Sequence, residues 1–230
     1  MNPFIEWLGK KEGRFLSKWL QYFEVYEKFF SPFREKPARL LEIGVFKGGS
    51  IDLWKNYFKE LFYIGVDIDP NCKKYEEPGV NIEIGDQENK EFLHTVVEKY
   101  APFDIVLDDG GHYMKQQMVS FEALWPHVKE GGLYVIEDTH TSYDKKYTDK
   151  EPLTFMQYSY GLVDQIHGWY GKDEAKHTFY TDTIEAVHYY DSMVVLEKKH
   201  DPSPPAQVLA GKIPEEWKPK IDTRRWKDTL

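Results

Sequence analysis

Runs of apolar, β-branched residues alternate with amphipathic helical stretches along the middle of the chain. Strands are predicted near residues 39–45, 62–68, 80–84, 103–107 and 132–136. Helices are predicted between them, from about residue 50 and over residues 90–100 and 114–125. Because this alternation is typical of parallel strands joined by crossover helices, it predicts a doubly wound α/β sheet.

The two flanks of this pattern differ from its middle. Residues 4–30 carry aromatic side chains at helical spacing, which predicts a helix ahead of the core domain. After residue 140 a further helix is predicted near residues 154–169, followed by strands at 184–190 and 193–198. Because two residues can join only antiparallel neighbours, these last strands are predicted to form a hairpin.

Length and composition narrow the class of protein. A chain of 230 residues is long enough for one α/β domain with extensions. Its formal charge of −9 argues against binding to nucleic acid or to acidic membranes. Cys72 is the single cysteine, which favours a reducing, cytoplasmic setting, and no apolar run approaches the ~20 residues needed to cross a bilayer.

A glycine-rich turn follows the first predicted strand, in the sequence Glu-Ile-Gly-Val-Phe-Lys-Gly-Gly-Ser at 42–50. Acidic residues lie in or after the first three strands, namely Glu42, Asp67, Asp69 and Asp86. Carboxylates at adjacent strand ends would repel a pyrophosphate but suit the sulfonium, ammonium and ribose hydroxyls of S-adenosylmethionine. The alternative, that Glu42 and Asp86 merely cap turns or helices, stays open here.

A second acidic cluster is predicted where the fourth and fifth strands end. Asp108 and Asp109 precede His112, and Glu137 and Asp138 precede a further histidine. Carboxylates crowded in one crevice suit a hard cation such as Mg²⁺, Mn²⁺ or Ca²⁺, and a histidine can accept a proton near neutral pH. Helix capping by one aspartate is the competing interpretation. Strand alternation leaves open which member of each acid pair faces the metal.

These motifs resemble those of class I S-adenosylmethionine-dependent methyltransferases. Within that class the chain is similar to the metal-dependent sugar O-methyltransferases of macrolide and rhamnosyl antibiotic pathways, from about Tyr26 to Lys198. The resemblance rests on residues 40–45 with 48–50, on 65–70, on 108–112 and on 137–138. It implies a Rossmann-like, mostly parallel seven-stranded sheet with a C-terminal antiparallel hairpin and an N-terminal helical extension.

The resemblance also implies roles for individual residues. His112 would be the general base, and the divalent metal, expected to be Mg²⁺, would be held by Asp109, Glu137 and Asp138. The residues expected to bind S-adenosylmethionine are Glu42, Gly44, Gly48, Ser50, Asp67, Ile68, Asp86, Gln87 and Asp108.

The residue pattern predicts a division of the chain into three parts, and the resemblance implies an acceptor. Residues 1–36 would be the helical extension, acting as a lid or dimer contact, 37–200 the methyltransferase domain, and 201–230 a proline-containing tail. The expected partner is a small molecule, a sugar or glycoside, and a homo-oligomer is compatible with this. One alternative is a methyltransferase of a catechol-like or other small-molecule hydroxyl, and the other is a non-catalytic nucleoside-binding assembly protein.

Overall fold

The computed structural model describes residues 2–148, 151–170, 177–205 and 212. Seven strands form one sheet in the order β3-β2-β1-β4-β5-β7-β6. Strands β1 to β5 pair in parallel, and β7 pairs antiparallel with both β5 and β6, so the predicted fold class is confirmed. The strands are β1 (Pro37–Ile43), β2 (Glu60–Asp67), β3 (Val80–Ile84), β4 (Phe103–Asp108), β5 (Val128–Glu137), β6 (Ile184–Tyr190) and β7 (Met193–Lys198).

Helices connect these strands, and several begin at the caps that their sequences supply. Asn89 caps α4 by accepting a hydrogen bond from the backbone N–H of Phe92 at 3.0 Å, and Thr154 forms a capping box with Gln157 at the start of α6. The helices are α1 (Pro3–Leu8), α2 (Tyr22–Phe30), α3 (Gly49–Tyr57), α4 (Lys90–Tyr100), α5 (Met114–Leu124), α6 (Phe155–Ile166) and α7 (Phe179–Thr183).

Helices cover both faces of the sheet. One face packs against Phe4, Tyr26 and Trp54 from α1, α2 and α3. The other packs against helices α4, α5 and α6, for example through Leu93 and Phe121. Burial on both faces explains the nearly continuous apolar runs of the central strands.

The prediction of one helix across residues 4–30 is wrong for residues 9–21, which are not helical. Gly9 ends α1, and Gly13 has a φ of +85°, a left-handed conformation that interrupts a helix. Beyond it, Arg14 turns back to bind Asp52 on α3, with Nε at 2.8 Å from Oδ1. Residues 10–21 are called the strap below. Contacts with α3 and with the ends of the strands replace helical hydrogen bonds here.

Most of the predicted tail, 201–230, lies outside the described residues, and the proposed domain boundaries stay predictions. The short helix α7 was not expected from the sequence. Within the described ranges, none of the helices combines the length and the apolar character needed to cross a bilayer.

Candidate active site

The carboxyl end of β1 lies at the point where the strand order reverses. β1 pairs with β2 on one side and with β4 on the other, so Ile43 has Val66 and Asp108 as its register partners. Open α/β sheets bind ligands at such a switch point, and a cleft of about 470 Å³ opens there. Among the residues predicted to bind the cofactor, the cleft is lined by Gly44, Asp67, Ile68, Asp86 and Gln87.

Asp67 holds the glycine turn in place. Its Oδ2 accepts hydrogen bonds from the backbone N–H groups of Val45 at 2.9 Å and Phe46 at 2.8 Å, and its Oδ1 accepts one from Asp69 at 2.8 Å. Each carboxylate oxygen has two lone pairs, so these bonds leave capacity to accept a ribose hydroxyl. The residue both shapes the cleft and lines it.

Four other residues predicted to bind the cofactor, Glu42, Gly48, Ser50 and Asp108, do not line this cleft. Glu42 is fully buried behind it and accepts hydrogen bonds from Ser50 Oγ at 2.7 Å and Tyr63 OH at 2.5 Å. Burial raises the pKa of this carboxyl group. Gly48 is the N-cap residue of α3. Their role in cofactor binding stays a prediction.

Asp108 is also fully buried, and it acts on the cleft through a neighbour. Gln87 Nε2 donates to Asp108 Oδ1 at 3.2 Å, while Gln87 Oε1 accepts from the backbone N–H of Gly111 at 2.9 Å. The Ser120 hydroxyl supplies a further hydrogen bond to Asp108. Asp108 therefore fixes the orientation of an amide that does line the cleft.

A second cavity, of about 370 Å³, adjoins the first. Asp109, Asp138 and Ser17 line both cavities, whereas Glu137 lines only the second. The predicted metal ligands thus meet between the two cavities. Ligands in the two cavities would both contact this acidic cluster.

Asp109, His112 and Asp138 each offer one ligand atom, and these three atoms lie within 4.8 Å of one another. His112 Nε2 is 3.3 Å from Asp138 Oδ2, and His112 Nδ1 has no hydrogen-bond partner among the described residues. His112 and Asp138 have φ values of +62° and +53°. Such left-handed residues cost on the order of 1–3 kcal/mol each and cluster at functional sites.

Lys18 from the strap enters the acidic cluster, a contact that no sequence pattern predicts. Its Nζ lies 2.6 Å from Asp109 Oδ2, 2.9 Å from Glu137 Oε2 and 3.8 Å from Glu42 Oε1, and its side chain is 2% exposed. Burial alone would lower the pKa of Lys18, but the three carboxylates outweigh it and raise the pKa. The ammonium group is held charged inside the protein.

Two tyrosines of α2 bind the carboxylates of Glu137, the last residue of β5, and of Asp138, which follows it. The Tyr26 hydroxyl donates to Glu137, and burial together with the charge of Glu137 raises the pKa of Tyr26 well above its usual value. The Tyr22 hydroxyl donates to Asp138 Oδ1 at 2.7 Å and accepts from the Asp138 backbone N–H at 3.0 Å. Both tyrosines stay neutral donors and hold the two carboxylates in place.

The donor set fits a divalent cation. Ligand atoms of Asp109, His112 and Asp138 lie within 4.8 Å of one another, and Glu137 lines the same second cavity as Asp109 and Asp138. Carboxylate oxygens are the donors that a hard cation prefers. The ammonium group of Lys18 already lies against Asp109 and Glu137 and neutralises part of their charge.

Comparison with known proteins identifies relatives. No family model matches the chain. It is 34% identical over 209 residues to the 8-demethyl-8-(2-methoxy-α-L-rhamnosyl)-tetracenomycin-C 3′-O-methyltransferase of Streptomyces olivaceus, covering 83% of this chain and 53% of that protein. It is 35% identical over 187 residues to the mycinamicin VI 2″-O-methyltransferase of Micromonospora griseorubida, covering 75% and 47%. The chain is a homologue of these O-methyltransferases.

A solved structure supports the same relationship. The MycE methyltransferase of the mycinamycin biosynthetic pathway, in complex with Mg, S-adenosylhomocysteine and mycinamycin VI, matches with a TM-score of 0.75 and 31% identity. The match covers 86% of the present chain and 53% of the MycE chain. The resemblance predicted from the motifs is therefore confirmed. The present chain spans about half the length of the curated relatives that it matches.

Proposed function

We propose that this chain is an S-adenosylmethionine-dependent O-methyltransferase that methylates a hydroxyl of a sugar or a glycosylated natural product. One observation carries the proposal: the cleft at the switch point of the sheet shares Asp109 and Asp138 with a neighbouring acidic cavity. A methyl donor and a metal-bound acceptor need such adjoining positions. The relatives named above, and the Mg and S-adenosylhomocysteine of the MycE structure, support it.

The residues of the cleft divide into two groups in this proposal. Asp67 would accept from the ribose hydroxyls, and Asp86 and Gln87 would lie beside the adenine, while Asp109, Glu137 and Asp138 would hold Mg²⁺. When bound, the cofactor supplies an electrophilic methyl group, and the metal lowers the pKa of the hydroxyl that it contacts. The protein contributes alignment and a preorganised field.

His112 is the proposed general base. Its Nε2 faces Asp138 Oδ2 at 3.3 Å, so a proton on Nε2 would be held by that carboxylate. Nδ1 is buried and has no partner among the described side chains and backbone groups, so Nε2, which faces Asp109 and Asp138, is the nitrogen proposed to accept the proton. His112 would accept the proton of the acceptor hydroxyl during methyl transfer.

A methyl-transfer assay tests the proposal, with a panel of glycosides and catechols as acceptors and mass spectrometry as the readout. His112→Ala should lower turnover by about 10²–10⁴-fold and leave the affinity for S-adenosylhomocysteine nearly unchanged. His94→Ala, in an exposed histidine of α4, is the matched control. Full turnover in His112→Ala would remove the base from this mechanism.

Metal dependence is tested separately in the same assay. Chelation by EDTA, or Asp109→Asn, should abolish methyl transfer, and added Mg²⁺ should restore it after chelation. Methyl transfer that survives both treatments would show that the metal has no role in the mechanism. Absence of S-adenosylhomocysteine binding in calorimetry would instead favour a non-catalytic assembly protein. Methyl transfer to catechols but not to glycosides would change the proposed acceptor from a sugar to a catechol-like hydroxyl.

The remaining features of the proposal concern the setting of the enzyme. The single cysteine supports a cytoplasmic location. The acidic charge supports a small-molecule acceptor over nucleic acid. A homo-oligomer is compatible with the proposal, and size-exclusion chromatography with light scattering would measure it.

A further inference from the structure

The ammonium group of Lys18 contacts the oxygens of Asp109 and Glu137 that a metal ion shared by these two residues would also need. One oxygen of each carboxylate is directed at Nζ, at 2.6 Å for Asp109 and 2.9 Å for Glu137. Mg²⁺ held by those two oxygens would need about 2.1 Å to each of them. The two cations therefore require the same space.

Contacts made by residues before and after Lys18 in the chain hold it in this position. Before it, Lys11 and Arg14 bind Asp52 on α3, with Lys11 Nζ at 3.1 Å. At Gly49 the strap passes so close that a Cβ atom would lie 2.1 Å from the Phe15 carbonyl oxygen.

After Lys18, the strap is attached to the acidic cluster itself. Trp19 Nε1 donates to Asp138 Oδ1 at 3.1 Å, and Tyr22 at the start of α2 donates to the same oxygen. With anchors on both sides, the ammonium group is presented to the carboxylates as an intramolecular ligand. Its effective concentration is high because little chain entropy remains to be lost.

We propose that Lys18 is a built-in cation that competes with the divalent metal for Asp109 and Glu137. The proposal rests on the metal part of the proposed function. Without metal, Lys18 neutralises the partly exposed carboxylate of Asp109 and the buried carboxylate of Glu137, which would otherwise repel each other. Metal bound by this pair displaces the lysine from it, so metal loading and the position of the strap are linked, and each disfavours the other.

Metal affinity tests the competition directly. Binding of Mn²⁺ to the full chain is measured by calorimetry and by the loss of its free electron-spin signal. Lys18→Met keeps the length of the side chain and removes the charge, so it should bind Mn²⁺ at least about tenfold more tightly than the unmodified protein. Lys10→Met is the matched control, since Lys10 is 76% exposed on the same strap, and it should bind as the unmodified protein does.

Equal or weaker Mn²⁺ binding by Lys18→Met would overturn the proposal. It would mean that the ion is held by Asp109, His112 and Asp138 alone, with Lys18 left in place or assisting. Binding by neither protein would also overturn it. S-adenosylhomocysteine titrated into the same samples reports independently on the proposed function, because its binding does not require Lys18 to move.

A measurement on the unmodified protein covers the case in which Lys18→Met does not fold. Amine-reactive labelling followed by mass spectrometry should leave Lys18 protected without metal, whereas Lys10 is modified. Millimolar Mn²⁺ should raise the labelling of Lys18 relative to Lys10. Labelling of Lys18 that stays unchanged at millimolar Mn²⁺ would overturn the proposal.

Discussion

Replacing Gly44 by alanine should both destabilise the fold and displace Asp109. Gly44 has a φ of +95°, and a Cβ atom added there would lie 2.0 Å from the carbonyl oxygen of Asp109 and 2.7 Å from its carbonyl carbon. Ordinary van der Waals contact needs more than 3.4 Å. One of the two backbones must therefore move by more than an ångström.

Neither backbone is free to move at low cost. The Gly44 N–H donates to Val66 at 2.8 Å, and the Asp109 N–H donates to Ile43 at 2.9 Å. The left-handed conformation costs an L-residue about 1–2 kcal/mol, and overpacking adds about 1–3 kcal/mol. Gly44→Ala should thus lower the free energy of unfolding by about 2–5 kcal/mol, a large part of the stability of a typical domain.

Gly79→Ala separates the two contributions. Gly79 has a similar φ of +83°, but its nearest contact to an added Cβ atom is Leu61 O at an ordinary 3.6 Å. Urea unfolding should show only the conformational cost of about 1–2 kcal/mol for Gly79→Ala. It should show a larger loss for Gly44→Ala, together with weakened binding of S-adenosylhomocysteine. Equal losses in the two variants would refute the claim that close approach of Asp109 requires glycine at position 44.

Three further substitutions test other parts of the structure. Phe4→Ala should lower the free energy of unfolding, measured in urea titrations, by about 3–5 kcal/mol. Phe4 is 1% exposed, and its ring stacks on that of Tyr57 with 4.1 Å between the ring centroids. An unchanged urea midpoint would show that α1 does not pack against the core. Tyr26→Phe removes a hydrogen bond to buried Glu137 and should cost about 1–3 kcal/mol in the same measurement, whereas a neutral effect would show that Glu137 needs no such donor. Burial lowers the pKa of Lys198 from 10.5 to about 8. Between pH 8 and 10.5 the unfolded chain therefore binds more protons at Lys198 than the folded protein does. The free energy of unfolding should rise with pH across this range. Comparison with Lys198→Met isolates this contribution, and identical pH slopes would contradict it.

The sheet and the place of the site could be predicted because both follow from local periodicity. The alternation of strands and helices along the chain predicts a parallel sheet. Acidic residues at the carboxyl ends of its strands must then lie along one edge of that sheet. The register confirms this, since β1 brings Ile43 beside both Val66 and Asp108. The hairpin at the C-terminus followed from a two-residue connection, and β6 and β7 pair as predicted.

The strap could not be predicted from the same patterns. Its aromatic residues have the spacing of an amphipathic helix, yet Trp19 is 53% exposed and hydrogen-bonded to Asp138. Lys18 lies 91 residues from Asp109 and 119 from Glu137 along the chain. Periodicity carries no information about contacts at such separations. A lysine in a basic stretch is ordinarily solvent-exposed, so its burial against carboxylates is visible only in three dimensions.

The position of Asp138 explains how two consecutive acids serve one site. In a regular strand the side chains of Glu137 and Asp138 would point to opposite faces of the sheet. β5 ends at Glu137, and the left-handed φ of +53° at Asp138 turns the chain so that both side chains line the second cavity. That conformation is costly for aspartate, and Tyr22 offsets the cost by bonding both its carboxylate and its backbone N–H. The helix that precedes the sheet thus supports the acidic cluster, because its Tyr22, together with Trp19 of the strap and Thr141, stabilises the strained turn at Asp138 over an extended strand end.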